Sequence, residues 1–235
     1  MRIDKFISRA LAISRKDARD IIKSKRVKIG SRVALKNDWE VNCEDVFLDD
    51  KKIEFKEFYY LMLNKPKGYI SATYDEKQKC VLDLIKGYEK ANLFMVGRLD
   101  IDTVGLLILT NDGPLAHKLT SPKKECFKKY YVEVDGEFSL DDIEKLKLGL
   151  DLYDGKGKAY HTKEAILEII SKDKAYISIS EGKYHEIKKM CQKLNKEVTY
   201  LKRISMGNLV LDESLKEGEY RELTDLEVSM LKENC

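Results

Sequence analysis

Val96-Gly97-Arg98-Leu99-Asp100-Ile101-Asp102-Thr103-Val104-Gly105-Leu106-Leu107-Ile108-Leu109-Thr110-Asn111-Asp112-Gly113 is the stretch on which the reading of the whole chain turns. An apolar approach, Leu93 to Val96, meets one arginine and two aspartates. A second apolar run, Leu106 to Leu109, then leads to an Asn-Asp-Gly turn signal. The pattern predicts two buried strands flanking one charged loop. Carboxylates and a guanidinium set beside buried strands are costly unless they pair. The loop therefore reads either as a chemical site or as a structural ion pair between Arg98 and an aspartate. A calcium loop is excluded. Asp100, Asp102 and Gly105 have its spacing, but Val104 and Asn111 stand where an oxygen ligand and a bidentate glutamate are required.

Working outward, 235 residues suffice for one large core or for a small domain plus a medium one, and the 43% apolar content is that of a globular protein. No apolar run is long enough to span a membrane, and charge arrives at Arg2 and Asp4 without a signal-peptide apolar region, so a cytoplasmic protein is expected. Cys43, Cys80, Cys126, Cys191 and Cys235 are scattered, with no Cys-x-x-Cys pair, and are expected to be reduced thiols. His117, His161 and His185 lie too far apart to read as a metal set.

The net charge of +3 conceals an asymmetry. Residues 1–36 hold 12 Lys and Arg against 3 Asp, whereas residues 37–57 hold 3 Lys against 8 acids. Such a local basic excess is the footprint of a surface that faces a polyanion. Phe6, Ile7, Ala10 and Leu11 recur at helical spacing. Ser14 and Asp17 form an imperfect capping box for a second helix whose inner face is Ala18, Ile21 and Ile22. Arg15, Arg19 and Lys23 follow at four-residue steps on its other side, and Lys25 and Arg26 extend the stripe. Short strands around Val27–Ile29, Val33–Leu35 and Val46–Leu48 complete a small αα-plus-β module over residues 1–57. A second domain is expected over 58–235.

In that second part, Tyr59 to Asn64 reads as a strand ended by Lys65-Pro66-Lys67-Gly68. Asn111-Asp112 caps a short helix that Ser121-Pro122 stops, and Lys128 to Val134 reads as a strand. Ser139 and Asp142 open a helix with Leu140, Ile143 and Leu146 facing inward. Two alternating strands, Ala165–Ile169 and Ala175–Ile179, point to an antiparallel sheet. Glu181-Gly182-Lys183-Tyr184-His185-Glu186-Ile187-Lys188-Lys189-Met190 then turns from strand into helix, and Thr224 with Glu227 caps a last helix. Without βαβ alternation or a Gly-rich loop, a nucleotide-cofactor fold is disfavoured.

Four of these segments carry a family resemblance. Gly97-Arg98-Leu99-Asp100 with Asp102-Thr103 and Gly105-Leu106-Leu107 resembles the signature loop of the RNA pseudouridine synthases, in the branch that includes RsuA. Asn64-Lys65-Pro66-x-Gly68, Lys128-x-Tyr130-x-Val132 and the segment ending Glu186-Ile187-Lys188 resemble further motifs of that family. The first module resembles the S4 RNA-binding domain in Arg2-Ile3-Asp4-Lys5-Phe6, Ser14 to Ala18 and Lys25-Arg26-Val27.

The resemblance implies an α+β chain: an S4 module followed by a synthase domain on a mixed, mainly antiparallel sheet with flanking helices. It implies isomerisation of a uridine in ribosomal RNA, most closely uridine 516 of 16S rRNA, since His117 to Pro122 and Cys126-x-Lys128-x-Tyr130 resemble the small-subunit branch. Asp100 is then the catalytic carboxylate, Lys188 the cation against it, and Tyr130 the active-site tyrosine that packs on the flipped base and carries a proton. Arg98 fills the space the base vacates or grips a phosphate, and Lys128 joins the RNA contacts. No metal, nucleotide or flavin is called for. The partner is ribosomal RNA or an assembling small subunit, and the expected state is a monomer. Glu186 stands where the family usually has glutamine, which puts the local hydrogen bonding in question. The alternatives are a synthase acting on 23S rRNA, a non-catalytic ribosome-assembly protein, and a glycoside hydrolase, which leaves the basic module unexplained.

Overall fold

Ile3, Phe6 and Ile7 repeat at helical spacing and are fully buried in α1 (Ile3–Ala10), facing Ala18 and Ile22 of α2 (Arg15–Lys23). The Ser14 hydroxyl accepts the Asp17 backbone N–H at 3.1 Å and so caps α2. Behind the helices lies a small sheet in the order β2-β1-β3-β4, made of β1 (Val27–Ile29), β2 (Arg32–Val33), β3 (Val46–Leu48) and β4 (Lys51–Lys52). Asp4 is fully buried in this unit, with Arg2 at 3.0 Å and Arg19 at 3.4 Å. Burial works to raise its carboxyl, but the two guanidiniums outweigh that and hold it below the ordinary range.

The structure is a computed structural model that describes residues 1–41, 45–89, 91–121 and 124–233, in two compact units that divide between Phe58 and Tyr59. Cys43, Cys235 and the helix-stopping Pro122 lie outside the described residues. The second unit is organised on one mixed sheet in the order β11-β12-β8-β13-β7-β5-β15, with β14 on β13 and β6 on β7. Its elements run β5 (Tyr60–Lys65), β6 (Phe94–Met95), β7 (Val104–Thr110), α3 (Gly113–Thr120), β8 (Lys128–Asp135), α4 (Leu140–Leu148), β9 (Asp151–Tyr153) and β10 (Ala159–His161). They continue with β11 (Ala165–Ser171), β12 (Lys174–Ile179), α5 (Glu186–Lys193), β13 (Glu197–Met206), β14 (Leu209–Val210), β15 (Tyr220–Glu222) and α6 (Asp225–Glu233).

β7 is buried along its whole length, as is β5 beside it, which explains why both read as apolar runs without alternation. The pairings within the sheet are antiparallel except that of β7 with β13, which is parallel and aligns Gly105 with Arg203. At that crossing the strands leave no room for a side chain. Gly105 has φ +100°, and a Cβ there would lie 2.3 Å from the Arg203 carbonyl oxygen. The signature loop thus runs into its strand through a position that only glycine satisfies.

Three sequence expectations need correction. Leu140 is 79% exposed at the start of α4, whose inner face is carried by Leu146 and the half-buried Ile143. The ten-residue β13, central in the sheet, has no counterpart in the sequence reading. Cys126 is disulfide-bonded, whereas Cys80 and Cys191 are free and buried.

Gly105→Ala combines backbone strain with overpacking, and the expected loss is about 3 kcal/mol or more. Urea unfolding of the variant measures it; a loss below about 1 kcal/mol would mean that β13 yields to the added methyl group.

Candidate active site

The charged loop leaves β6 and returns as β7, and its backbone is pinned from beneath. Lys65, at the end of β5, is fully buried, and its ammonium donates to the carbonyls of Thr103 at 2.8 Å, Asp100 at 3.0 Å and Pro66 at 3.1 Å. Burial pulls this lysine down to about 8, against the opposing pull of Asp102 and Asp100. Ser71 grips the loop from its other side: its hydroxyl donates to the Leu99 carbonyl at 2.8 Å and accepts the Leu99 N–H at 3.0 Å. With its backbone fixed at Leu99, Asp100 and Thr103, the loop holds the Asp100 carboxylate 26% exposed at the pocket.

The second wall comes from the start of α5. Lys188 reaches back to the loop, its ammonium 3.3 Å from Asp100 Oδ2 and 2.5 Å from Asp102 Oδ1. Burial tends to raise Asp102, but the Lys188 hydrogen bond and charge prevail and hold its carboxyl below the usual range. His185 Nε2 lies 3.5 Å from Asp100 Oδ1. The structure therefore pairs both aspartates with Lys188, and exposed Arg98 has no carboxylate partner among the described residues, so the alternative of a structural Arg98–Asp pair does not hold. Arg98, Asp100, Tyr130 and Lys188 line one pocket together with Leu99, Thr103, Ile179, His185, Glu186, Ile187 and Leu201.

Lys128 does not belong to an RNA-facing set. Strand alternation in β8 puts it on the buried face with Tyr130 and Val132, and its ammonium donates inward to the carbonyls of Ser180 and Glu181 at 3.3 and 3.4 Å. Burial lowers it to about 8. In the first unit, Arg15, Arg19, Lys23, Lys25 and Arg26 are all exposed. The stripe is partly tied to acids of its own unit, since Arg26 makes a two-pronged bond to Asp49 at 2.9 and 2.5 Å, Arg19 shares Asp4, and Lys23 lies 3.9 Å from Asp20.

Glu186 is 97% buried at the N-terminus of α5. One oxygen accepts the Lys183 N–H at 2.8 Å; the other has no donor facing it among the described residues. Burial, with the neighbouring Glu181 carboxyl, pushes Glu186 up to about 7, while Glu181 is held low by the Lys183 ammonium and the Lys163 N–H despite its own burial. Glu186 thus keeps a proton to higher pH than an ordinary carboxyl, and in that form it can bond to Glu181 where two carboxylates would repel. A protonated glutamate offers one donor and one acceptor, as a glutamine side chain does. Lys65, His185 and Glu181 lie at or beneath this pocket without having been singled out in the sequence, where Glu186 alone stood out as an unexpected acid. The only signals were a lysine closing an apolar strand, a histidine just before a helix and the unexpected acid itself.

With this geometry in place, comparison with known proteins places the chain. Residues 59–193 match the RNA pseudouridylate synthase family and residues 1–47 the S4 domain. The chain belongs to the RNA pseudouridylate synthase family, isomerases that act on RNA. Within it, the chain is of the RsuA type. It is 36% identical to the ribosomal small subunit pseudouridine synthase A of Escherichia coli, over 97% of this chain and 99% of that one. It is 42% identical to the uncharacterised RNA pseudouridine synthase YtzG of Bacillus subtilis, over 99% of each. A solved crystal structure of a pseudouridylate synthase superimposes with a TM-score of 0.70 at 35% identity, over 98% of this chain and 99% of that one. Among the described residues, no helix is long and apolar enough to cross a membrane.

The acid pair makes stability depend on pH. Glu186 binds its proton more tightly in the folded chain, about 7 against an ordinary 4.5, so its contribution is full below about pH 4.5 and is lost as pH rises toward 7. Glu186→Gln keeps the acceptor for Lys183 and removes the titration. It is expected to be more stable than the wild type at pH 8 by on the order of 1–3 kcal/mol, with a flatter profile between pH 5 and pH 8. Denaturant unfolding at both pH values measures this; parallel profiles would place the proton elsewhere.

Proposed function

We propose that the chain converts a uridine of ribosomal RNA into pseudouridine, that this uridine is position 516 of 16S rRNA, and that the substrate is met as RNA or as an assembling small subunit. The observation that carries the reading is the partly exposed Asp100 carboxylate, set 3.3 Å from the Lys188 ammonium in a pocket also lined by Tyr130 and Arg98. The 16S branch is supported by the relatives named small-subunit synthases.

In this reading the base leaves the stack at a cost of about a few kcal/mol and enters the pocket. Asp100 acts on the sugar, either attacking C1′ as the N-glycosidic bond breaks or taking a proton in a glycal-type path. The Lys188 cation lies against the carboxylate and keeps it in place. Tyr130, 93% buried, offers its ring as the surface on which the uracil packs and turns before C5 joins the sugar. Arg98, exposed at the rim, fills the vacated stack or holds the neighbouring phosphate. Residues 1–57 dock the RNA through phosphate contacts from Arg15, Arg19, Lys23, Lys25 and Arg26, which set register without reading sequence. The protein acts as a monomer in the cytoplasm.

Two experiments test this reading. Incubation with 16S and 23S rRNA transcripts and with partly assembled subunits, followed by pseudouridine mapping, is expected to give one new site in 16S. A site in 23S alone keeps the chemistry and moves the branch; none on any substrate favours the non-catalytic assembly protein. Asp100→Asn is expected to abolish the modification while RNA affinity stays within about twofold, and full turnover by this variant would remove Asp100 from the chemistry. Separately, replacing Arg15, Arg19 and Lys23 with Ala is expected to weaken RNA binding and reduce the salt slope by roughly 2–3, as about one counterion is released per phosphate contact. An unchanged slope would take the stripe out of the interface.

A further inference from the structure

His185, the residue before α5, has φ +54° and ψ +34°, left-handed backbone that among L residues Asn, Asp and His adopt most readily. Its ring stacks on Tyr184, with centroids 3.8 Å apart and planes 18° from parallel. The stack and the turn hold the imidazole where Nε2 lies 3.5 Å from Asp100 Oδ1, in the pocket shared with Tyr130 and Lys188. The side chain is 35% exposed, so the fold does not need it as core packing.

The chemistry assigned to Asp100 leaves one proton transfer to another group, for which the resemblance offers Tyr130 and the geometry offers His185 as well. Once C5 of the uracil has joined C1′, C5 still carries its hydrogen, and that proton must be removed to restore the ring's double bond. A group that takes it must lie beside Asp100, because C5 is then bonded to the sugar carbon on which Asp100 acted. It must also have a free electron pair. Lys188 is an ammonium held between two carboxylates, and a phenol such as that of Tyr130 is ordinarily a donor at neutral pH. An imidazole is the side chain suited to accept and return a proton there.

We propose that His185 is the base that removes the C5 proton, an inference that rests on the pseudouridine synthase reading of Asp100. The C5–H bond breaks, its electron pair forms the C5–C6 double bond, and the C6–N1 double-bond pair returns to N1 while Nε2 takes the proton. The imidazolium then gives a proton to N1, directly or through a water molecule. One proton leaves carbon and one arrives on nitrogen, so the step balances as an isomerisation without a co-reactant.

The test uses the full chain and RNA whose uridines carry hydrogen or deuterium at C5. His185→Gly and His185→Asn both accept left-handed backbone, so the turn that begins α5 is retained in each. The expected result is a loss of turnover of roughly 10²-fold or more in both, with RNA affinity kept. A deuterium isotope effect larger than that of the wild type is expected with it, as is recovery of His185→Gly in proportion to added imidazole. Turnover within about twofold of the wild type in either variant overturns the proposal. So does a slow variant with neither isotope effect nor imidazole rescue, which would make His185 a positioning residue, or an isotope effect unmasked instead by Tyr130→Phe. A wild-type chain that forms no pseudouridine on any RNA overturns the reading of Asp100 and this inference with it, whereas an active wild type isolates the fate of His185.

Discussion

One buried ammonium gives the reactive loop its shape. Among the described residues Lys65 has no carboxylate within bonding reach; its charge faces backbone carbonyls, three of them within 3.1 Å. An amine buried with fewer acceptors would lose its proton, and carbonyls that converge without a cation would be left unpaired, so cation and loop hold each other in place. The arrangement continues across the sheet. Gly105 is paired with Lys65 on one side and with Arg203 on the other, and the Arg203 guanidinium, also buried, donates to the Leu106 carbonyl at 2.7 Å. The strand that leaves the loop is thus set between two buried cations, and the only residue that fits between their backbones has no side chain.

This arrangement explains what the amino-acid pattern revealed and what it did not. β7 and β5 were legible because both faces of each strand are buried, so hydrophobicity runs unbroken. α5 was legible because Ile187, Met190, Cys191 and Leu194 repeat at helical spacing. β13 escaped notice because one of its inward positions is Arg203, and an arginine next to Lys202 reads as surface. Lys128 was misread for the opposite reason. The alternation that turns Tyr130 into the pocket necessarily turns Lys128 to the same face, but lysine is so seldom buried that charge was taken as exposure. The family resemblance singled out Asp100 and Lys188, and these two stand 3.3 Å apart from opposite walls. His185 could not be found by spacing, since its place depends on one backbone angle.

The position at which this chain departs from the family pattern is equally physical. A glutamate in place of glutamine beside the pocket of Asp100 invites the expectation of added negative charge. The structure instead buries that carboxyl beside Glu181, and burial with the neighbouring acid raises its hold on a proton. What is kept is a hydrogen-bonding pattern, and the chemical name of the residue matters less than its protonation. The consequence is that the wall carrying His185 and Lys188 rests on a titratable support, whereas an amide would make it indifferent to pH.

The parallel contact of β7 with β13 has a bearing on the order in which the molecule can come into being. Lys202 and Arg203 meet Val104 and Gly105 across about a hundred residues of sequence, so the loop preceding β7 has no neighbour on that side until nearly all of the chain has left the ribosome. Until then β7, flanked by β5 and at its far end by β6, has an open edge at Val104 and Gly105. A nascent chain therefore completes its S4 unit before the pocket around Asp100 exists. A molecule cut short before β13 would keep its S4 unit and lack the neighbour that closes β7 at Val104 and Gly105.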